Sequence, residues 1–131
     1  MPSSRLIDGL ALGLAAIPFV AALVLWNDLP AEMVIHWSGG EPNNAVGKPL
    51  ATVGLYAFAV ATVAFVRLAP NSMTNTPGGE DLTVLFLGGA LAWVQGIVLA
   101  WNLGYRFSIE LAIAPVLLGA GVLVAIAFWL R

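Results

Sequence analysis

The sequence predicts an all-α integral membrane protein: four antiparallel transmembrane helices with one structured extracytoplasmic loop. Three observations carry that prediction. Of 131 residues, 60% are hydrophobic and only 9% are charged, with a mean hydropathy of +0.94, whereas soluble domains carry about 25% charged residues. The twelve charges, from Arg5 and Asp8 through Asp28, Glu32, Glu41, Lys48, Arg67, Glu80, Asp81, Arg106 and Glu110 to Arg131, leave four charge-free runs at 9–27, 49–66, 82–105 and 111–130. Each run is 18 to 24 residues long, and a helix needs about 20 apolar residues to cross a hydrocarbon core of about 30 Å.

Helix is the reading for these runs because a spanning segment must satisfy its own backbone hydrogen bonds in lipid. A transmembrane barrel needs strands of about ten residues alternating apolar and polar. Stretches such as Val84-Leu85-Phe86-Leu87 and Val122-Leu123-Val124-Ala125 do not alternate. The chain therefore reads as one four-helix membrane domain over 1–131, with helices at about 6–26, 49–68, 82–104 and 110–130.

The first run exceeds the 7 to 15 apolar residues of a secretory signal and ends in Leu25-Trp26-Asn27-Asp28 rather than at a cleavage site, which predicts a retained helix. Pro18 lies inside it and predicts a kink near Leu14, since proline removes one helical hydrogen bond. A polar loop at 27–48 follows, then the second helix and a second loop at about 69–81. The third helix carries Gly88, Ala92, Gly96 and Ala100 every fourth residue, a small-residue ridge that lets transmembrane backbones approach closely. Packing within the bundle is the first use for such a ridge, and homo-oligomerisation the second. Gln95 and Asn102 are the polar side chains of this helix, read as interhelical hydrogen-bonding groups or as the lining of a substrate route. A tight turn at 106–110 leads to the fourth helix, with Pro115 in its first turns and Gly121 and Ala125 as small packing positions. Trp26 and Trp37 flank the first loop, Trp101 and Tyr105 sit at the end of the third helix and Trp129 closes the fourth, in the headgroup positions that amphipathic rings favour. Alternating helix directions place Trp26, Trp101 and Tyr105 in one belt.

Several functions lack a basis in the residues. The chain has no cysteine and one histidine, His36, so thiolate chemistry is absent and a metal site, which wants three or four ligands, is not expected. No nucleophile stands beside a base and no phosphate-binding glycine loop occurs, so no enzyme activity and no cofactor are predicted. A net charge of −2 gives no reason to expect a nucleic-acid partner.

The 27–48 loop holds the information. It reads Leu29-Pro30, then Ile35-His36-Trp37, then Gly40-Glu41-Pro42, and ends at Lys48. Gly39-Gly40 and Pro42-Asn43-Asn44 read as turns, and 33–37 as a short extended segment folded over the mouth of the bundle. Spacing and residue types resemble the extracytoplasmic loop of a small membrane-domain family that forms the N-terminal part of SdpI-like bacterial toxin-immunity proteins. The resemblance extends over about 6–70. It departs at Ser38, Asn43 and Ala45, where that family has Asn, Asp and an aromatic, and nothing after Arg106 matches the C-terminal region of the longer immunity proteins.

That resemblance implies a non-enzymatic protein whose loop, through His36, Trp37, Gly40, Glu41, Pro42 and Lys48, binds or senses an extracytoplasmic peptide or a membrane partner, with toxin immunity as the sharpest form. The alternatives are a transport or channel accessory, with Gln95, Asn102 and Pro18 lining a route, and a homo-oligomeric scaffold acting through Gly88, Ala92 and Gly96. The expected location is the cell membrane, multi-pass, among lipid. Arg5, Arg67 and Arg131 against Lys48 and Arg106 give a three-to-two positive-inside count, which with the resemblance places both termini in the cytoplasm.

Overall fold

A computed structural model describes residues 3–68 and 79–129. The chain forms α1 (Ser4–Val24), a 3-10 turn (Trp26–Asp28), β1 (Glu32–Ser38), β2 (Glu41–Gly47), α2 (Lys48–Leu68), α3 (Gly79–Asn102) and α4 (Ile109–Trp129). All four helices are long and apolar enough to cross a membrane, and the chain fits a multi-pass membrane protein. The expected 69–81 loop lies largely outside the described residues, as does Arg131.

Local signals account for the helix ends. Ser3 caps α1 by accepting from Leu6 N at 3.2 Å, and Ser108 caps α4 by accepting from Leu111 N at 3.3 Å, each satisfying an amide with no partner inside the helix. Pro49 falls in the first turn of α2, where its missing N–H costs nothing. α1 continues as helix through Pro18 to Val24.

The expectation of an all-α chain is corrected in one respect. Within 27–48, β1 and β2 form an antiparallel hairpin. Gly39 (φ 60°) and Gly40 (φ 82°) make its two-residue turn, and the positive φ at both positions favours glycine there. The 33–37 segment is extended as read, and Gly39-Gly40 is the turn. Pro42-Asn43-Asn44, read as a second turn, is instead the body of β2. Turn propensity misleads there because β2 is an edge strand: Pro42 sits opposite Trp37 where a missing N–H is tolerated, and the register shifts between Val34 and His36 and again between His36 and Trp37, so compensating bulges absorb the irregularity.

α1, α2 and α3 form a mutually packed trio, and α4 lies outside it against α3, with none of its residues buried. Two core clusters result. Ile7, Ala11, Val63 and Val84 fill the end nearest the start of α1, while Ala22, Leu29, Met33, Ala51 and Val98 fill the end under the hairpin. At the first of these clusters α1 and α3 come within backbone contact: a Cβ added at Gly88 would lie 2.7 Å from both Cα and O of Ala11. Gly88 is thus a point of close approach between the two helices. Gly96 has nothing within 4 Å of the same construction, and it and Ala92 border an open groove.

Candidate functional site

The hairpin lies across the end of the trio, fixed by three independent anchors. The first is apolar: Met33 is 1% exposed among Ala22, Ala51 and Val98, with Ile35, Trp37 and Val46 packed beside it. Burying a side chain of this size contributes about 1.5–3 kcal/mol.

The second anchor is the carboxamide of Asn102, at the last position of α3. It accepts from Val34 N at 2.8 Å and donates to Val34 O at 2.9 Å and to Val98 O at 2.7 Å. One side chain thereby imitates a neighbouring strand, satisfying both backbone groups that β1 turns away from β2.

Lys48 is the third. Its backbone N–H donates to Ala31 O at 2.8 Å, its Nζ donates to Trp26 O at 2.8 Å, and Nζ lies 5.0 Å from the centroid of the Trp26 ring. At the 3-10 turn that follows α1 the cation thus meets an aromatic face and a carbonyl that also accepts from Leu29 N. The loop lysine singled out in the sequence is therefore a staple between the ends of the hairpin.

Trp37 points inward as well. Its ring meets Trp101 edge-on at 5.6 Å, Trp101 meets Phe107 at 5.7 Å in the same manner, and Arg106 Cζ stands 4.5 Å over Trp101. The Trp37 indole Nε1 is buried without a hydrogen-bond partner. Gly40 lets the hairpin tip approach α4, since a Cβ there would lie 3.3 Å from Glu110 Oε1.

What remains outward is a polar face. His36, Glu41, Pro42, Asn43 and Asn44 are exposed. His36 Nδ1 lies 2.6 Å from Asn43 Oδ1; an amide oxygen only accepts, so Nδ1 is the donor of this bond. Glu41 forms no salt bridge among the described residues. The described residues hold no group of three His, Cys, Asp or Glu side chains arranged for a metal ion.

Residues 13–66 match a domain of unknown function, DUF1648. The matched segment takes in the second half of α1, the whole hairpin and nearly all of α2. No curated protein and no solved structure matches the chain. Asn102, which clamps the hairpin, comes from α3, outside the matched segment.

Gln95 is 6% exposed at the centre of the trio and donates to Ala15 O at 3.0 Å. Ala15 adjoins Leu14, whose carbonyl loses its helical donor to Pro18. A void of about 10 Å³ beside Gln95, Thr52 and Phe19 is the size of one water.

A second charged constellation, absent from the sequence-based candidates, closes the opposite end. Arg67 of α2 pairs with Asp8 of α1 at 2.7 Å and with Glu80 and Asp81 of α3 at 3.2 and 2.8 Å. Ser4 Oγ adds a bond to Asp81 Oδ1 at 3.3 Å. The signal available in the sequence was the position of Asp8, Arg67, Glu80 and Asp81 at three helix ends, which antiparallel packing gathers on one face.

Proposed function

We propose that this protein is a non-enzymatic receptor whose hairpin recognises an extracytoplasmic peptide or a segment of a membrane partner, in the manner that the resemblance to toxin-immunity proteins implies. The observation that carries this reading is the division of labour within the hairpin. Met33, Trp37, Val34 and Lys48 hold it to the bundle, while His36, Glu41 and Pro42 face outward and take no part in that attachment. A pre-organised strand with an open edge offers backbone hydrogen bonds to an extended peptide at low entropic cost, and the exposed His36 imidazole and Glu41 carboxylate add polar side-chain contacts. In this reading the hairpin faces outside and the Arg67 cluster faces the cytoplasm.

Support for a transport role is weaker. Gln95 donates to Ala15 O and Asn102 to Val34 O and Val98 O, and the void beside Gln95 has room for about one water.

The test is survival. A strain lacking the gene, challenged with a panel of membrane-active peptides, should be protected by the wild-type chain and left sensitive by His36→Ala combined with Glu41→Ala, at equal amounts of folded protein in the membrane. Equal survival of all three strains across the panel contradicts the reading.

A further inference from the structure

A groove of about 600 Å³ runs along α3 between α1 and α4. Its floor is the small-residue face at Gly89, Ala92, Gly96 and Ala100, and its walls include Leu14 of α1 and Phe107 before α4. Gly89 and Leu14 lie near the midpoints of their helices, whereas Ala100 and Phe107 lie at the hairpin end. From Gly89 to Ala100 the helix rises about 16 Å, close to the ~15 Å depth of one leaflet.

Two features choose the occupant. Towards the other leaflet the α1–α3 side is shut, because Gly88 and Ala11 are in backbone contact there, and Trp93, held to Ala112 O at 2.7 Å, separates the groove from a smaller depression between α3 and α4. A helix of a second copy would need a seam through both leaflets, whereas an acyl chain needs one. At the headgroup end stands Arg106, adjoining Phe107. Its Nη1 donates to Trp101 O and Tyr105 O at 2.8 and 2.9 Å, and it makes no salt bridge among the described residues. A guanidinium with donors to spare suits a phosphate oxygen.

We infer that this protein binds one anionic glycerophospholipid from the leaflet on the hairpin side, with an acyl chain in the Gly89–Ala100 groove and the phosphate at Arg106. Neither the hairpin's outward face nor the peptide reading enters this inference.

Native mass spectrometry of the full chain released from bilayers of phosphatidylcholine and phosphatidylglycerol tests it. The wild type should retain one phosphatidylglycerol, preferred about tenfold over phosphatidylcholine. Gly96→Phe projects a ring into the groove without a backbone clash and should abolish retention; Ala92→Leu is the second filler should the first fail to fold. Gly121→Phe, equally unobstructed but outside the groove, should retain the lipid. Arg106→Gln should hold lipid without the preference for phosphatidylglycerol. Retention by both folded groove-filled variants, an unchanged lipid preference in Arg106→Gln, equal competition by a free fatty acid, or a dimer that Gly96→Phe dissociates would each overturn the inference.

Discussion

Asn102 and Val34 are 68 positions apart in sequence and joined by two hydrogen bonds, Val34 N to Oδ1 at 2.8 Å and Nδ2 to Val34 O at 2.9 Å. The end of α3 thus behaves as a third strand one residue long. Replacing Asn102 by Leu leaves an amide and a carbonyl of β1 unpaired, at about 1–3 kcal/mol for the desolvated groups. Hydrogen–deuterium exchange in lipid nanodiscs should show faster exchange at Val34 and across β1 in Asn102→Leu, with α1 and α2 unchanged.

Gly88 and Gly96 stand on one ridge and should respond oppositely to the same substitution. Gly88→Ala places a methyl 2.7 Å from the Ala11 backbone and should destabilise the α1–α3 pair by about 1–3 kcal/mol. Gly96→Ala meets open space and should be neutral or stabilise by up to about 1 kcal/mol, the helix-propensity difference. Thermal unfolding in one detergent measures both.

Lys48→Met and His36→Ala separate architecture from recognition. The first removes the bond to Trp26 O and the cation over its ring and should lower the melting temperature. The second removes only an exposed bond to Asn43 and should leave the unfolding free energy within about 0.5 kcal/mol of wild type.

Arg67 holds three carboxylates from two other helices. Because the groups are 19–34% exposed, each pair contributes at most about 1 kcal/mol, but Arg67→Gln leaves Asp8, Glu80 and Asp81 repelling one another. Its unfolding midpoint should fall below wild type at low salt and recover part of the difference as salt screens the repulsion; no dependence on salt would argue against the repulsion.

The spans were legible because lipid imposes a length and a composition that few other environments demand, and charge spacing alone located them. The Gly39-Gly40 turn was legible because positive φ at consecutive positions selects glycine. β2 was not, since Pro42, Asn43 and Asn44 carry turn propensity locally and become a strand only against β1. The roles of Lys48 and Trp37 were hidden for a related reason: in sequence they stand in a polar loop beside His36 and Glu41, and only the path of the hairpin decides which side chains turn to the bundle. Arg67 and its carboxylates each sit at a helix end, where a charge usually meets water, so nothing local marks them as a cluster.

The hairpin and the Arg67 cluster should lie on opposite faces of a membrane crossed four times. The chain has no cysteine, so single cysteines placed at Glu41 and at Glu80 can be labelled with a membrane-impermeant maleimide in sealed vesicles of uniform orientation. One position should react at once and the other only after the membrane is opened. Labelling of both positions from the same side would contradict it.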